Sequence, residues 1–104
     1  MKINNYKMRV TESQDTGCYN GWLDGSLCAQ GGTRAECKCN LIAVCICAAL
    51  KQIGVNAAVD PIGNSFKVVT PDAGRFSTAA EMMRLAGVSV SEISGNAKTG
   101  IIIK

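Results

Sequence analysis

The run of ten apolar residues from Leu41 to Leu50 constrains the fold more than any other part of this chain. Thr33 and Glu36 form a capping box ahead of it and Gly54 follows it, so we expect a helix from about Arg34 to Ile53. A helix that is apolar on every side must be covered on every side. Either the sheets of the same chain wrap around it or a second copy packs against it; we favour a homo-oligomer formed through this helix.

Four side chains of the run sharpen that expectation: Ile42, Val44, Cys45 and Ile46. At about 3.6 residues per turn they spread around the helix axis and leave no face for solvent. We therefore expect all four to be largely buried and at least one to contact a second subunit.

The residues before the helix alternate between polar and apolar. In residues 5–12, Tyr6, Met8 and Val10 share one face, which indicates a strand with one buried face. Residues 18–23 and 26–30 flank Asp24-Gly25, a strong signal for a type I′ hairpin. The first thirty residues therefore predict a three-stranded antiparallel meander.

The residues after the helix repeat the strand and helix patterns. Two strands, at about 55–59 and 65–70, surround a turn at 60–64. Ser77 or Thr78 caps a second helix that ends at Gly87, and strands at about 88–93 and 99–103 follow. The prediction is one α+β domain of order βββ-α-ββ-α-ββ, with antiparallel sheet and two helices packed on it. Its parts are a β-meander at 1–31, the apolar helix at 33–54 and a ββ-α-ββ unit at 55–104.

Composition excludes most catalytic machinery. The 104 residues include no histidine, which removes Ser–His–Asp triads, Cys–His dyads and histidine general bases. The eight carboxylates are spread singly, and no pair is spaced for acid–base work. We expect no catalytic residues and a protein that is not an enzyme.

Six cysteines raise the question of a metal site or disulfides. Cys37 and Cys39, like Cys45 and Cys47, form a C-x-C pair; on a helix the two members point about 200° apart, so they cannot share a metal. A two-residue turn at Asp24-Gly25 would place Cys18 opposite Gly31 and Cys28 opposite Gly21, on different faces of the meander, where they cannot bond. We expect no metal, no cofactor and core-filling thiols.

The N-terminal residues lack the apolar core of a secretory signal, and the longest apolar run is too short to cross a bilayer. We therefore expect a cytoplasmic protein with reduced thiols and no membrane partner. The net charge is +3 without a polybasic tract, so an anionic ligand is permitted and nucleic acid is not expected.

Both helix starts carry glycine and arginine, a combination suited to an anion. Glycine lets a ligand approach the backbone, helix amides favour negative charge, and arginine grips phosphate with two hydrogen bonds. The alternative is that these groups are ordinary caps with arginines facing solvent. The candidate ligand-binding residues are Gly32, Thr33 and Arg34 at the first start, and Arg75, Phe76 and Ser77 at the second.

Three resemblances suggest functions. Residues 6–50, with strands followed by a helix that opens GGTRAECK, look like partial RNase-H-like antitoxin domains and like the double-stranded-RNA-binding domain, in which Arg34 and Lys38 would stand for basic residues. The β-meander, apolar helix and arginines at helix starts also resemble small phage-encoded counter-defence proteins. That resemblance implies sequestration of an immune-signalling nucleotide inside an oligomer, in the host cytoplasm.

We therefore expect a non-enzymatic cytoplasmic binding protein that takes a small anionic or nucleotide-type ligand. Two alternatives stay open: a protein–protein inhibitor or adaptor that uses a sheet edge or the meander around Trp22, and an RNA-binding module.

Overall fold

The computed structural model describes residues 1–104 and contains two helices and nine strands in three antiparallel sheets. The sheets have the strand orders β1-β7, β2-β3-β4 and β5-β6-β9-β8. A short 3-10 turn at Ala73–Arg75 precedes the second helix. The elements are β1 (Lys2–Ile3), β2 (Met8–Glu12), β3 (Tyr19–Leu23), β4 (Ser26–Gly31), α1 (Arg34–Gln52), β5 (Ala58–Ile62), β6 (Ser65–Val69), α2 (Ala79–Ala86), β7 (Val88–Ser89), β8 (Ile93–Asn96) and β9 (Gly100–Ile103).

The predicted α+β class, with antiparallel sheet and two helices, is confirmed. Both helices are capped by a threonine hydroxyl: Thr33 accepts from the Glu36 amide at 3.1 Å, and Thr78 accepts from the Glu81 amide at 3.0 Å, but no return bond from either glutamate side chain to its cap residue is present. Thr78 rather than Ser77 is therefore the cap of α2. Gly87 ends α2 in the left-handed conformation, as the sequence indicated.

Helix α1 is covered largely within its own chain. It contacts the meander β2-β3-β4, strand β5 of the four-stranded sheet, and α2. No residue from Leu41 to Leu50 is exposed. Among the four side chains that were expected to be largely buried, Cys45 and Ile46 are fully buried, whereas Ile42 and Val44 are only half-buried. The expectation of four largely buried side chains thus holds for two of them in the single chain, and contact with a second subunit stays a prediction.

The meander packs closely on the first turn of α1. A Cβ on Gly31 would lie 2.5 Å from the backbone nitrogen of Cys37, so only glycine fits there. Two side chains of α1 also bond the outer strands: Arg34 Nη1 donates to the Val10 carbonyl at 3.4 Å, and Asn40 donates to the Gln30 carbonyl at 2.9 Å. Such contacts occupy edge-strand carbonyls that could otherwise pair with another chain.

Two expectations about the meander are wrong. A β-bulge shifts the register, so Gly21 pairs with Ala29 and Tyr19 with Gly31, rather than Gly21 with Cys28. Met8 was placed with the buried face, but it is 40% exposed, because β2 is an edge strand with a neighbour on one side only. Cys18 and Cys28 are both exposed free thiols.

The second half differs from prediction at two places. Strand β5 continues through Pro61 to Ile62, and the turn is Gly63-Asn64 alone. Proline is tolerated there because β5 is an edge strand, so its missing N–H removes no ladder bond. The strand predicted at 88–93 is split: β7 pairs with β1, an N-terminal strand that was not predicted, and β8 begins at Ile93 and pairs with β9.

Candidate functional site

The predicted groups at the start of α1 have partners within the chain. The hydroxyl of Thr33 accepts the Glu36 amide. The guanidinium of Arg34 lies 5.2 Å from the centre of the Tyr19 ring, while its Nη1 reaches the Val10 carbonyl. Gly32 has open space around it, with Glu36 Oε2 the nearest atom to its Cβ position at 3.8 Å. This end of α1 is therefore built as a cap, with an acidic side chain beside the glycine.

The predicted groups before α2 are also engaged. Arg75 Nη1 donates to the Gly54 carbonyl at 2.9 Å, and it pairs with Asp72 at 3.7 Å. The same guanidinium lies 5.6 Å from the centre of the Phe76 ring. The Ser77 hydroxyl donates to Glu81 Oε2. Arg75 thus fastens the 3-10 turn to the loop that follows α1.

The two predicted sites do not come together. Arg34 stands at the start of α1, and Arg75 contacts Gly54 just beyond its end. At about 1.5 Å per residue these positions are ~30 Å apart along the helix, so no small ligand could touch both. Each remains a separate candidate.

The largest cleft of the structure lies elsewhere, where β1 and β7 meet α2. Its volume is about 670 Å³, within the range common for small-molecule sites. Arg84 and Ala80 of α2 line it, together with residues of two chain segments at opposite ends of the sequence. The N-terminal segment contributes Lys2, Asn4 and Asn5, and the segment after α2 contributes Gly87, Val88, Ser89 and Val90.

Asn4, one of the residues that line this cleft, makes a close contact with the end of α2. Asn4 adopts a left-handed backbone (φ 37°), which asparagine tolerates better than most residues. Its side-chain amide donates to the Ala86 carbonyl at 2.9 Å, and its backbone N–H donates to the Gly87 carbonyl at 2.9 Å. Gly87 has a left-handed backbone (φ 77°) that favours glycine, and a Cβ there would also displace the Asn4 side chain. These bonds hold β1 against β7 and keep the cleft in shape.

The charged groups that line the cleft are both cationic. Lys2 and Arg84 contribute positive charge, Asn4, Asn5 and Ser89 contribute neutral polar groups, and no carboxylate belongs to the lining. Glu81 lies one turn away and pairs weakly with Arg84 at 3.8 Å, with both side chains exposed. A shallow depression lined by Ser77 and Glu81 adjoins the cleft, sharing Ala80 and Arg84. Ser77 is thus the predicted site residue that lies nearest this cleft.

Sequence reasoning missed the cleft because its two halves are far apart in the chain. Lys2 pairs with Ser89, and Ile3 with Val88, across the small sheet β1-β7. A two-residue strand carries too little periodicity to be recognised. The available local signals were Asn4-Asn5, a turn-forming pair, and Gly87 at the end of a helix.

Cys37 and Cys45, the two buried cysteines of α1, are suited to packing rather than to reaction. Burial raises the pKa of the Cys45 thiol to about 11, and the nearby Asp24 carboxylate adds to this shift. Burial also raises the pKa of Cys37, against the opposing effect of Arg34. Both thiols are therefore protonated at neutral pH and are weak nucleophiles and weak metal ligands. No group of three or more His, Cys, Asp or Glu side chains is close enough to hold a metal ion.

Comparison with protein-family models, with curated proteins and with solved structures found no match to this chain. Neither helix has the length and apolar character needed to cross a membrane. Conclusions about function therefore depend on the geometry and charge of the chain itself.

Proposed function

We propose that the protein is a non-catalytic binding protein for a small anionic ligand, and that the cleft between β1, β7 and α2 is its binding site. The observation that carries the proposal is the lining: Lys2 and Arg84 are its only charged residues, beside the neutral polar Asn4, Asn5 and Ser89. An anion placed there meets two cations and several hydrogen-bond donors without a like charge in the wall.

Arg84 is the group best suited to recognise the ligand. Its guanidinium offers paired donors that match phosphate or carboxylate. Its contact with Glu81 is 3.8 Å long and exposed, and such a surface pair contributes at most about 1 kcal/mol, so a ligand can displace it. Lys2, on β1, adds a second positive charge to the lining.

The more specific parts of the sequence-based hypothesis belong to the same proposal. The ligand is of nucleotide type, the protein acts in the cytoplasm, and copies associate along the half-buried side of α1 that carries Val44, Cys47 and Ala48. Sequestration of a signalling nucleotide by a virus-encoded protein is the form of this function that the resemblance to counter-defence proteins suggests.

A thermal-shift screen tests the proposal, with inorganic phosphate, nucleotides, cyclic nucleotides and small di- and tricarboxylates as probes. A ligand present at about 100 times its dissociation constant adds about 2.7 kcal/mol of stability. For a domain of this size, that raises the midpoint by about 10 °C or more. If none of these anions raises the midpoint, the proposed function is wrong.

Charge-removing variants locate the site. Lys2→Gln with Arg84→Gln should abolish the shift, whereas Lys51→Gln, an exposed lysine on α1, should leave it unchanged. Arg34→Gln and Arg75→Gln test the two sites predicted from sequence. If either of these removes the shift and the cleft variant does not, the function stands and the cleft is not its site.

A further inference from the structure

The meander β2-β3-β4 has one face against α1 and one face that no other element of the chain covers. The covered face is marked by Gly21, whose Cβ position lies 3.2 Å from Cys37 Sγ and from Leu41 Cβ. Side chains alternate along a strand, so the neighbours of Gly21 in β3 point to the opposite face. That outer face, here called the Trp22 face, comprises Arg9, Thr11, Asn20, Trp22, Leu27 and Gln30.

Trp22, the only tryptophan of the chain, lies at the centre of this face. Its indole N–H donates to Thr11 Oγ1 at 2.8 Å, which satisfies its polar edge and orients the ring. The Arg9 guanidinium lies 6.0 Å from the ring centre, and Leu27, directly opposite Trp22 on β4, is 50% exposed. An oriented aromatic ring thus stands between a cation and an exposed apolar side chain.

The polar groups of the Trp22 face can bind phosphate and the edges of bases. None of its six side chains is acidic, and Lys7, two residues before Arg9 and exposed, adds a second cation at one end, where the Asp24 carboxylate accepts the Lys7 backbone N–H at 2.9 Å. Asn20 and Gln30 share a single hydrogen bond at 3.2 Å, which leaves each amide with further donors and acceptors. Side-chain amides can hydrogen-bond the edges of bases, and arginine and lysine bind phosphate.

We propose that the Trp22 face binds single-stranded nucleic acid, with an unpaired base stacked on Trp22. Stacking of a base on an indole is stronger than an exposed contact between arginine and the ring, so the base displaces Arg9, which then binds a phosphate with Lys7. The three strands make a face about 10 Å across, with room for about two bases.

A flat sheet of this kind does not enter the groove of a duplex, so unpaired bases are required. A protein partner is less favoured, because the exposed apolar surface is one leucine and one half-buried indole, whereas protein interfaces of standard size need a wider apolar centre. The inference departs from the expectation that nucleic acid is not a partner. That expectation rested on the absence of a polybasic tract in the sequence. The pairing of β2 with β3 instead places Arg9 opposite Trp22, so that the cation and the indole lie on one face. The site is separate from the anion cleft.

The test is a titration of the full chain with an oligothymidylate of about ten nucleotides. Stacking should quench the fluorescence of Trp22, and the anisotropy of a dye-labelled oligonucleotide should rise in parallel. With two phosphate contacts the logarithm of the affinity falls with slope about −1.4 against the logarithm of salt concentration. That slope corresponds to about a sevenfold loss between about 50 and 200 mM salt.

Three variants separate this site from general charge attraction. Arg9→Gln alters an exposed side chain, so the fold is kept, and it should halve the salt slope to about −0.7. Trp22→Leu, read by anisotropy, should weaken binding at least about fivefold. Lys98→Gln removes the same charge in the turn between β8 and β9, and should change neither quantity.

Four results would overturn the proposal. One is an absence of quenching and anisotropy change up to ~100 µM protein, the weak limit of non-specific binding. The second is an equal affinity for a duplex of the same length. The third is equally strong quenching by thymidine monophosphate, which would indicate a mononucleotide site. The fourth is self-association that Trp22→Leu abolishes, which would make the face a protein interface. The anion screen does not affect these readouts, so the two proposals can fail separately.

Discussion

Replacing Ile46 by alanine tests how α1 is held in the core. Ile46 is fully buried, midway along the helix, in the cluster that joins α1 to both larger sheets. The change removes three buried carbons and leaves a cavity, because neighbours on separate elements relax only in part. Substitutions of this kind cost about 2–5 kcal/mol, and full burial of Ile46 places the expected loss at about 3–4 kcal/mol. That is a large fraction of the ~5–15 kcal/mol by which a domain is stable.

Val44→Ala is the matched variant, two residues away on the same helix. Val44 is half-buried in the single chain, so the loss of its methyl groups should cost only about 1 kcal/mol. If a second copy covers this side of α1, the cost rises and the stability of the wild type depends on protein concentration. The comparison therefore measures core packing with one variant and the proposed association with the other.

Urea unfolding followed by far-ultraviolet circular dichroism, at two protein concentrations about a hundredfold apart, gives both free energies. A loss below about 1 kcal/mol for Ile46→Ala would refute the packing described for α1. Unchanged midpoints across the two concentrations, together with a small cost for Val44→Ala, would refute association through this helix.

Three further predictions follow from single contacts. Gly31→Ala forces a Cβ to within 2.5 Å of the Cys37 backbone nitrogen and should cost at least about 1–3 kcal/mol in urea unfolding, whereas Gly74→Ala, with no atom within 4 Å, should cost far less. Burial raises the pKa of Cys45 from 9.0 to about 11, so between these pH values the unfolded chain loses the thiol proton before the folded chain does. The free energy of unfolding should therefore fall by up to about 2.7 kcal/mol as the pH rises from 9 to 11, and Cys45→Ala should not show this loss. The Ser77 hydrogen bond lowers the pKa of Glu81, so the ionised carboxylate stabilises the fold above the ordinary glutamate pKa of 4.5, and this stabilisation is lost as the pH falls below that value. Urea unfolding at a series of acidic pH values should therefore show a smaller loss of stability for Ser77→Ala than for the wild type.

Local chemistry made much of the fold predictable. In both helix caps the threonine hydroxyl bonds the amide three residues later, so Thr33 and Thr78 could be read directly as helix starts. The Asp24-Gly25 pair correctly places the hairpin turn between β3 and β4. Such signals need no knowledge of the rest of the chain.

The errors arose where distant residues decide the outcome. The register of β4 depends on a bulge beside Cys28, which no local pattern encodes. Pro61 looked like the middle of a turn, and only its place in an edge strand makes it part of β5. Arg34 and Arg75 suit an anion by residue type, but the fold directs both to carbonyl groups of the chain itself. The cleft was unseen because Lys2 and Arg84 meet only through tertiary structure.

The pairing of β1 with β7 sets the order in which the molecule can be completed during synthesis. Lys2 is synthesised well before its partner Ser89, because the meander, α1, β5, β6 and α2 all lie between them in the sequence. The meander and α1 involve contacts between residues closer in sequence and can form earlier, since short loops close at lower entropic cost. Until β7 has been made, β1 has no strand to pair with, and Ile3, which is only 4% exposed in the finished fold, lacks part of the surface that buries it. The cleft therefore forms only after α2 and β7 have been made, although the meander and α1 can fold before them.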